Sequence, residues 1–321
     1  MMMTHSGAAG PSGQGGPEGH AGAPPRTIGF VGLGAMGLPM ALRLLEAGYR
    51  VRGGSRDAQR LERFTAAGGR ACATLTETLQ GADVVITMLP DGAVVSEVME
   101  QDGGVAQTVP AGTLLIDMTT ASPREASALA DRGGELGIEV LDAPVSGGVK
   151  GAQAGTLTIM VGGSEQALER ARPLLEAMGT TITHLGPAGS GQVAKAANQM
   201  IVGAGLVALG EAVVLLEASG LDAERALSAL SGGLAGSRIM EVKAPTILSR
   251  DFTPTFTAGL HAKDMRIAQD LAGSLGCVLP VSETVTQTLN AAVANGLADL
   301  DHAAVVRVTE LLSGTHRNDR K

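Results

Sequence analysis

A lysine and an asparagine inside an otherwise apolar segment are the first residues that could do chemistry. Lys195 and Asn198 stand three positions apart in the segment 189–199, so they share one face if that segment is helical. Burying an ammonium group is costly, and burial lowers its pKa toward the range that suits proton transfer. The segment alone leaves two interpretations open: a buried lysine that transfers protons, or a lysine whose stem packs while its head reaches water.

Two further segments contain polar groups of interest. The run 142–148 reads Asp-Ala-Pro-Val-Ser-Gly-Gly and follows a predicted strand. Backbone amides around Ser146, Gly147 and Gly148, together with the Ser146 hydroxyl, could bind a carboxylate, although such a run is more often a loop without a ligand. The pair Lys263-Asp264, taken by itself, is typical of a solvated ion pair.

A glycine loop near the start of the chain has the pattern of a dinucleotide site. It reads Gly32-Leu33-Gly34-Ala35-Met36-Gly37, directly after a predicted strand and at the start of a predicted helix. The first glycine permits the tight turn, the second lets the backbone approach a pyrophosphate, and the third lets helix and strand pack closely. The free amides and the dipole at the helix N-terminus attract phosphates. In this setting the loop predicts a bound dinucleotide.

The end of the second predicted strand bears on which dinucleotide is bound. An NAD site usually has an acid there, which accepts hydrogen bonds from the ribose hydroxyls, whereas this chain has Ser55 followed by Arg56. Because a guanidinium can form paired hydrogen bonds with a 2′-phosphate, the sequence favours NADP over NAD. In the alternative interpretation, Arg56 is solvated and Asp57 is the acid that accepts hydrogen bonds from the ribose hydroxyls of NAD. Gly53-Gly54 makes the strand end flexible and weakens the inference.

Strand and helix patterns alternate over residues 27–178. The predicted strands are 27–31, 49–52, 84–89, 113–117, 139–141 and 157–161, and the predicted helices are 38–47, 57–67, 92–100, one after Pro123, and 165–178. This alternation predicts an α/β fold with an N-terminal Rossmann doubly wound sheet.

Beyond about Pro187 the pattern is helical only. Residues 190–218 predict one long interdomain helix, apolar nearly all round and therefore buried between domains or subunits. No convincing strand follows, so the C-terminal domain is predicted to be all-α. The predicted units are a disordered tail 1–25, rich in Gly, Pro, Ala and Ser; a dinucleotide-binding domain 26–187; an all-α domain 188–312; and a frayed tail 313–321.

Composition excludes several classes of function. The net charge of −8 argues against nucleic acid or an anionic membrane as partner, and 2% aromatic residues with no Trp provide no platform for base stacking. The two cysteines, Cys72 and Cys277, and the scattered histidines have no metal-ligand spacing, so we expect neither a metal site nor a disulfide. The N-terminus lacks a secretory signal, and the apolar uncharged stretch 196–210 is too short to span a bilayer. These features predict a soluble cytoplasmic protein.

Taken together, four segments resemble the β-hydroxyacid dehydrogenase family, which includes 3-hydroxyisobutyrate dehydrogenase and tartronate semialdehyde reductase. They are the glycine loop 32–37, the run 142–157, the run 191–198 and the pair Lys263-Asp264, in the family's order and spacing. The resemblance covers about residues 27–312. It implies an oxidoreductase that transfers a hydride between NADP or NAD and a small carboxylated aldehyde or alcohol.

The resemblance also implies a role for each candidate residue. Lys195 would be the catalytic lysine, and Asn198 would position it and the substrate. A related branch that reduces imines lacks this lysine, so Lys195 argues against that branch. The other implied roles are carboxylate binding by Ser146, Gly147 and Gly148; contact with nicotinamide and substrate by Thr120; lining of the cofactor channel by Met88, Leu89 and Pro90; and closure over the cofactor by Lys263.

Details within the family favour a reductase of tartronate semialdehyde, which is 2-hydroxy-3-oxopropionate. The segments 117–120, 197–199 and 301–302 resemble that branch, whereas 3-hydroxyisobutyrate dehydrogenases tend to have Asn-Asn where this chain has Asn198-Gln199. An oxidative 3-hydroxyisobutyrate dehydrogenase is the alternative. A non-catalytic cofactor-binding interaction module, known in one chromatin-associated relative, is disfavoured by Lys195, Asn198 and the acidic charge. The long apolar helix predicts a homodimer or homotetramer.

Overall fold

The computed structural model describes residues 26–315, so the predicted tail 1–25 and most of the predicted tail 313–321 lie outside it. Within the described residues, nine strands form one sheet in the order β3-β2-β1-β4-β5-β6-β8-β7, with β9 paired to β8. The strands are β1 (Thr27–Val31), β2 (Arg50–Gly53), β3 (Arg70–Ala71), β4 (Val84–Thr87), β5 (Leu114–Asp117), β6 (Glu139–Asp142), β7 (Val145–Ser146), β8 (Leu157–Gly162) and β9 (Gly179–Gly186). The first six strands are parallel and have the Rossmann order, which confirms the predicted fold class.

Helices cover both faces of this sheet. They are α1 (Gly37–Glu46), α2 (Ala58–Ala66), α3 (Leu75–Leu79), α4 (Gly92–Glu100), α5 (Val105–Thr108), α6 (Pro123–Glu135), α7 (Gly148–Ala154) and α8 (Glu165–Met178). Alternate residues of a central strand point to opposite faces, so Leu114 and Ile116 join one apolar core while Leu115 joins the other. Burial on both faces explains why these strands read as continuous apolar runs.

Six short or marginal elements of the sheet domain were not predicted, namely β3, β7, β9, α3, α5 and α7. Strand β9 alternates between partly covered and exposed residues over most of its length, and half of its eight residues are Thr or His, so it lacks the apolar run by which the central strands were found. Strands β3 and β7 span two residues each, which is too short for any periodic pattern. The sheet also departs from a purely parallel one, because β8 pairs antiparallel with β6 and β7.

The rest of the described chain is helical, as predicted. It contains α9 (Ser190–Ala218), α10 (Ala223–Ser231), α11 (Arg238–Ser249), α12 (Ala258–Leu275), α13 (Pro280–Ala292) and α14 (Val306–Leu312), with a π-helical turn at Val293–Leu297 and a 3-10 helix at His302–Val305. Helix α9 is long and apolar enough to cross a membrane, but it packs against α11, α12, α13 and α14 as a core helix. Within the single chain Ile201 and Leu215 are 74% and 71% exposed, so the burial predicted for this face of α9, between domains or subunits, stays a prediction.

A buried carboxylate at the end of β6 attaches α9 to the sheet. Asp142 Oδ1 accepts a hydrogen bond from Gly189 N at 2.8 Å, and Asp142 Oδ2 accepts one from Gln192 N at 3.0 Å. No side chain of α9's own N-terminus caps it, so Asp142 satisfies these amides from another element. The predicted domain boundary at residues 187 and 188 falls in the turn just before this contact and stays a prediction.

Gln192 makes a second attachment between the same helix and the sheet. Its Oε1 accepts a hydrogen bond from Ala121 N at 3.1 Å, and its Nε2 donates one to Thr119 O at 2.8 Å. The first turn of α9 is therefore fixed to the ends of both β5 and β6. Lys195 lies one turn further along the helix, so its position depends on these contacts.

We expect Asp142→Ala to lower the free energy of unfolding by about 1–3 kcal/mol, because it leaves the buried amides of Gly189 and Gln192 without an acceptor. Urea denaturation followed by circular dichroism measures the change. Asp102→Ala, at an exposed position, is the matched control and should stay within about 0.5 kcal/mol of the parent. Equal stability of the two variants would contradict the attachment.

Candidate active site

The glycine loop lies where the crossover connections of the sheet diverge, between β1 and β4. Gly32 has φ +107°, and a side chain there would collide with the carbonyl of Met88, while a side chain at Gly37 would collide with the carbonyl of Gly32. At Gly34, by contrast, a Cβ would meet no atom within 4 Å. Gly34 is therefore not required by packing, and the space beside it suits a ligand that approaches the backbone.

The start of α1 differs from its neighbours in having no polar cap. The N-cap residues of helices α2, α4 and α6 are Asp57, Asp91 and Ser122, whose side chains accept hydrogen bonds from first-turn amides. The N-cap residue of helix α1 is Met36, which makes no side-chain cap, and the first turn contains no acidic residue. Leu38 N donates to Gly34 O at 3.1 Å within this turn, but no side chain competes with an anion for the remaining amides. The loop 32–37 therefore fits the pyrophosphate of a dinucleotide.

The end of β2 brings Ser55 and Arg56 to the same edge of the sheet. Asp57, the alternative acid, caps α2 through Gln59 N and Arg60 N, and its other oxygen lies 3.2 Å from Arg60 Nε. Ser55 Oγ accepts from Asp57 N at 3.1 Å, which leaves the hydroxyl proton to donate to a ligand. Arg56 is exposed at the rim.

The two glycines before them serve close packing rather than flexibility. A Cβ at Gly53 would lie 2.9 Å from Phe30 O, and one at Gly54 would lie 2.8 Å from Cys72 O. The strand end is consequently packed against its neighbours, in contrast to the flexible end expected from the sequence.

Lys195 is buried, which makes the interpretation of a water-reaching lysine wrong. Its side chain is 7% exposed, and Nζ donates to Val145 O at 2.8 Å and to Gln199 Oε1 at 3.2 Å. Burial is the main reason that its pKa falls from an ordinary 10.5 to about 8; the Asp264 carboxylate opposes the fall and the Lys263 ammonium adds to it. An amine with this pKa can both donate and accept a proton near neutral pH.

Gln199 connects the lysine to its polar neighbours. Its Oε1 accepts hydrogen bonds from Lys195 and, at 2.8 Å, from Asn198 Nδ2, while its Nε2 donates to Asp264 Oδ2 at 2.7 Å. Asn198 thus contacts the lysine through Gln199 and not directly. Gln199 was not among the predicted site residues, although its spacing of four residues from Lys195 on a helix was the available signal.

Lys263 and Asp264 are not the solvated pair that the sequence suggested. Asp264 is buried, and Lys263 Nζ donates to Pro90 O at 3.0 Å and to Thr120 O at 2.8 Å. Because Pro90 follows β4 and Thr120 follows β5, Lys263 joins α12 to the carboxyl ends of two strands. Leu89 N donates to Thr119 Oγ1 at 3.0 Å, which holds the loops after these strands together.

A buried aspartate orders the loop that carries Thr120. Asp117 Oδ1 accepts hydrogen bonds from Thr87 Oγ1 at 2.8 Å and from Thr119 N at 3.0 Å. Burial raises the pKa of Asp117 to about 6, against the lowering by these hydrogen bonds. The carboxylate therefore fixes the chain direction just where β4 and β5 end.

The predicted carboxylate loop lies beside the amine. Ser146 belongs to β7, and Gly147 and Gly148 follow with φ of +131° and +62°. Gly147 precedes α7 as its N-cap and makes no side-chain cap, so no capping side chain competes with a ligand for the amides of this turn. Because Lys195 bonds the carbonyl of Val145, the residue before Ser146, the amine and the loop are neighbours.

The structure thus brings most of the predicted residues to one edge of the sheet. The loops after β1, β2, β4 and β5 carry the predicted cofactor residues, and β7 and α9 carry the predicted substrate residues. This edge is where open α/β sheets bind ligands, at the carboxyl ends of their strands.

Comparison with known proteins also indicates a nicotinamide-dependent enzyme. A family model described as the NAD binding domain of 6-phosphogluconate dehydrogenase matches residues 27–186, and one described as the NAD-binding domain of NADP-dependent 3-hydroxyisobutyrate dehydrogenase matches residues 189–309. Over 286 residues the chain is 39% identical to the 2-hydroxy-3-oxopropionate reductase of Escherichia coli, covering 89% of this chain and 98% of the relative.

Two other relatives are similarly close. The 2-(hydroxymethyl)glutarate dehydrogenase of Eubacterium barkeri is 39% identical over 289 residues, covering 89% of this chain and 96% of the relative. The structure of the Mycobacterium tuberculosis 3-hydroxyisobutyrate dehydrogenase with L-serine matches with a TM-score of 0.78 and 38% identity, covering 89% of this chain and 99% of that one. The chain is therefore an NAD(P)-dependent hydroxyacid dehydrogenase or reductase and belongs to the β-hydroxyacid dehydrogenase family.

Proposed function

We propose that this enzyme reduces 2-hydroxy-3-oxopropionate to the corresponding hydroxy acid, with NADPH as the preferred cofactor. The observation that carries the proposal is the buried Lys195 amine, hydrogen-bonded to the carbonyl that precedes the loop 146–148. This arrangement provides a proton donor and a carboxylate-binding turn side by side, which is what a small carboxylated aldehyde requires.

The compounds named with the relatives share one chemical unit. Glycerate, the reduction product of 2-hydroxy-3-oxopropionate, contains a carboxylate, a neighbouring carbon and a hydroxymethyl group, and so do 2-(hydroxymethyl)glutarate, 3-hydroxyisobutyrate and the L-serine of the mycobacterial structure. They differ only in the substituent on the middle carbon, which is a hydroxyl, a carboxyethyl, a methyl and an ammonium group. The loop 146–148 and Lys195 address the shared unit, so they set the reaction class and leave the substituent to other contacts.

The residues of the chain divide the work as follows. The amides of Gly147 and Gly148, with the Ser146 hydroxyl, bind the substrate carboxylate and so orient the reacting carbon. Lys195 Nζ stabilises the charge that develops on the aldehyde oxygen and donates a proton to it; in the oxidative direction it accepts that proton. Asn198 positions the substrate oxygen and, through Gln199, the amine.

The remaining predicted residues would hold the cofactor. A bound NADPH supplies the hydride from C4 of its nicotinamide ring. The loop 32–37 would hold the pyrophosphate, Ser55 and Arg56 the 2′-phosphate, and Lys263 would close the site from α12. Met88, Leu89, Pro90 and Thr120, after β4 and β5, would line the nicotinamide channel.

Oxidation of 3-hydroxyisobutyrate is the second candidate activity. It is favoured by the 38% identity to the mycobacterial enzyme, and disfavoured by Gln199, which stands where that branch tends to have a second asparagine. The segments 117–120, 197–199 and 301–302 favour 2-hydroxy-3-oxopropionate.

Assembly and location complete the proposal. We propose a cytoplasmic homodimer or homotetramer, because Ile201 and Leu215 leave apolar surface exposed along α9. We also propose that the chain divides into a dinucleotide-binding domain over 26–187 and an all-α domain over 188–312.

We expect Lys195→Met to lower kcat by about 10²- to 10⁴-fold, because it removes the proton donor. The measurement is NADPH oxidation with 2-hydroxy-3-oxopropionate, for which we expect a higher kcat/KM than for methylmalonate semialdehyde, the oxidised form of 3-hydroxyisobutyrate. Lys150→Met, which removes an exposed lysine, should keep its activity. Near-normal turnover in Lys195→Met would eliminate the lysine as donor, and a preference for methylmalonate semialdehyde would support the second candidate.

The two directions of the reaction should respond oppositely to pH. Reduction needs the ammonium form of Lys195, so kcat should fall as pH rises through about 8. Oxidation needs the neutral amine, so kcat should rise through the same pH. Profiles of kcat against pH in both directions measure these changes. If kcat rose with pH in both directions, or fell in both, Lys195 could not be the proton donor of reduction and the proton acceptor of oxidation.

We expect Arg56→Ala to raise the KM for NADPH about tenfold, because it removes a charged partner of the 2′-phosphate. The KM for NADH, which lacks that phosphate, should not change. Arg60→Ala, whose guanidinium is paired with Asp57, serves as the control for a lost surface arginine. Equal effects on NADPH and NADH would assign Arg56 no part in cofactor choice.

A further inference from the structure

A pair of buried imidazoles lies behind the lysine, outside the machinery described so far. His261 on α12 and His302 at the start of the 3-10 helix are both buried, with 3.0 Å between their Nδ1 atoms. His261 Nε2 lies 3.2 Å from the main-chain oxygen of Gln199 on α9. The ring of Phe256 packs against both imidazoles, with centroids 5.5 and 5.2 Å away.

The hydrogen-bond partners of the two imidazoles determine which ring nitrogens carry hydrogen. A main-chain oxygen can only accept, so His261 Nε2 must carry a hydrogen and donate it to Gln199 O. In the neutral ring, His261 Nδ1 is then an acceptor, and His302 Nδ1 must carry the hydrogen between the two rings. The chain of hydrogen bonds ends on a carbonyl, which does not take up the proton, so the pair is not a proton relay to Lys195.

The surroundings keep the pair uncharged. Burial is the first cause that lowers the pKa of both imidazoles. The Lys243 ammonium on α11 lowers both as well, Lys195 on α9 lowers the pKa of His261, and His261 lowers that of His302. Two carboxylates oppose them: Asp264 acts on His261 and Asp301 on His302. Asp264 is engaged with the Gln199 amide, and Asp301 with the Lys243 ammonium at 2.8 and 2.9 Å.

A glycine lets the imidazole reach the helix backbone. A Cβ at Gly203, one turn beyond Gln199, would lie 3.3 Å from His261 Nε2 and 2.8 Å from Val285 Cγ1. The ring therefore packs in a groove of α9 that a larger residue would fill. The same Gln199 whose carbonyl receives this hydrogen bond uses its side chain to hold Lys195 and Asn198.

We propose that His302, acting through His261, is a positioning residue that fixes Gln199 and with it the Lys195 amine. The inference rests on the proposed function for its catalytic consequence, but the proton arrangement of the imidazole pair does not depend on that function. The hydrogen bond from His302 Nδ1 to His261 Nδ1 stabilises the one neutral tautomer of His261 that can donate from Nε2 to the carbonyl of Gln199 on α9.

The first test needs no substrate. Nitrogen-15 NMR of the histidine side chains in the full-length enzyme, assigned with His261→Phe and His302→Phe, should report two neutral rings between pH 6 and pH 8. His261 should carry its proton on Nε2 and His302 on Nδ1. A charged ring, or the opposite tautomers, would overturn the proposal whether or not the enzyme reduces any semialdehyde.

The second test follows turnover with whichever semialdehyde the wild-type enzyme reduces. We expect His302→Phe to lower kcat about tenfold, as small displacements of catalytic groups do. The pH limb of reduction should move below that of the wild type, because a misplaced Gln199 no longer stabilises the ammonium form of Lys195. His302→Asn, whose amide can donate to His261 Nδ1, should have the kcat and the pH limb of the wild type.

His184→Phe is the matched control. It removes another hydrogen bond between an imidazole and a main-chain carbonyl, the one between His184 on β9 and Gly163 O. It should leave the pH limb unchanged even if it lowers the melting temperature. If His302→Phe behaves like this control, with lower thermal stability but an unmoved limb and kcat, the pair is merely structural and the proposal fails. Absence of turnover in the wild type would refute the proposed function and leave the NMR result to decide the tautomers.

Discussion

The capture of the N-terminus of α9 by the buried carboxylate of Asp142 is the contact on which the site depends. A sheet edge and a 29-residue helix meet there through hydrogen bonds to two amides, and Gln192 adds two more to the loop after β5. Such bonds are costly to leave unmade in a dry interior, so the helix has one position relative to the strand ends. Lys195 then lies next to β7, because the helix that carries it cannot shift.

The chemistry depends on how the interior treats that lysine. Its direct hydrogen-bond partners are two neutral oxygens, on Val145 and Gln199. The Asp264 carboxylate does not bond the amine directly, because it accepts a hydrogen bond from the Gln199 amide that lies between them. A carboxylate in direct contact would hold the proton on the amine, and no carboxylate at all would drive it off. The intermediate arrangement leaves the pKa near 8, where both directions of a hydride transfer can use the amine.

Local pattern predicted much of this and missed what depends on distant partners. The bounds of β1 and the glycine loop followed from a short apolar run ending in glycine, and the spacing of Lys195 and Asn198 on a helix was read correctly. Gln199 was missed because its role depends on Asp264, 65 residues away. Lys263-Asp264 looked solvated because burial of a pair on an amphipathic helix is decided by what packs over it, here the loops after β4 and β5.

The pKa of the Lys195 amine, measured directly, tests the central claim most closely. Lysine side chains labelled with carbon-13 and nitrogen-15 can be titrated by NMR in the full-length enzyme, with the Lys195 signal assigned by its absence from Lys195→Met. A midpoint near pH 8 is predicted from the burial of the amine between Val145 and Gln199. A midpoint at the ordinary 10.5 would mean that the amine is solvated, and would contradict its assignment as the proton donor.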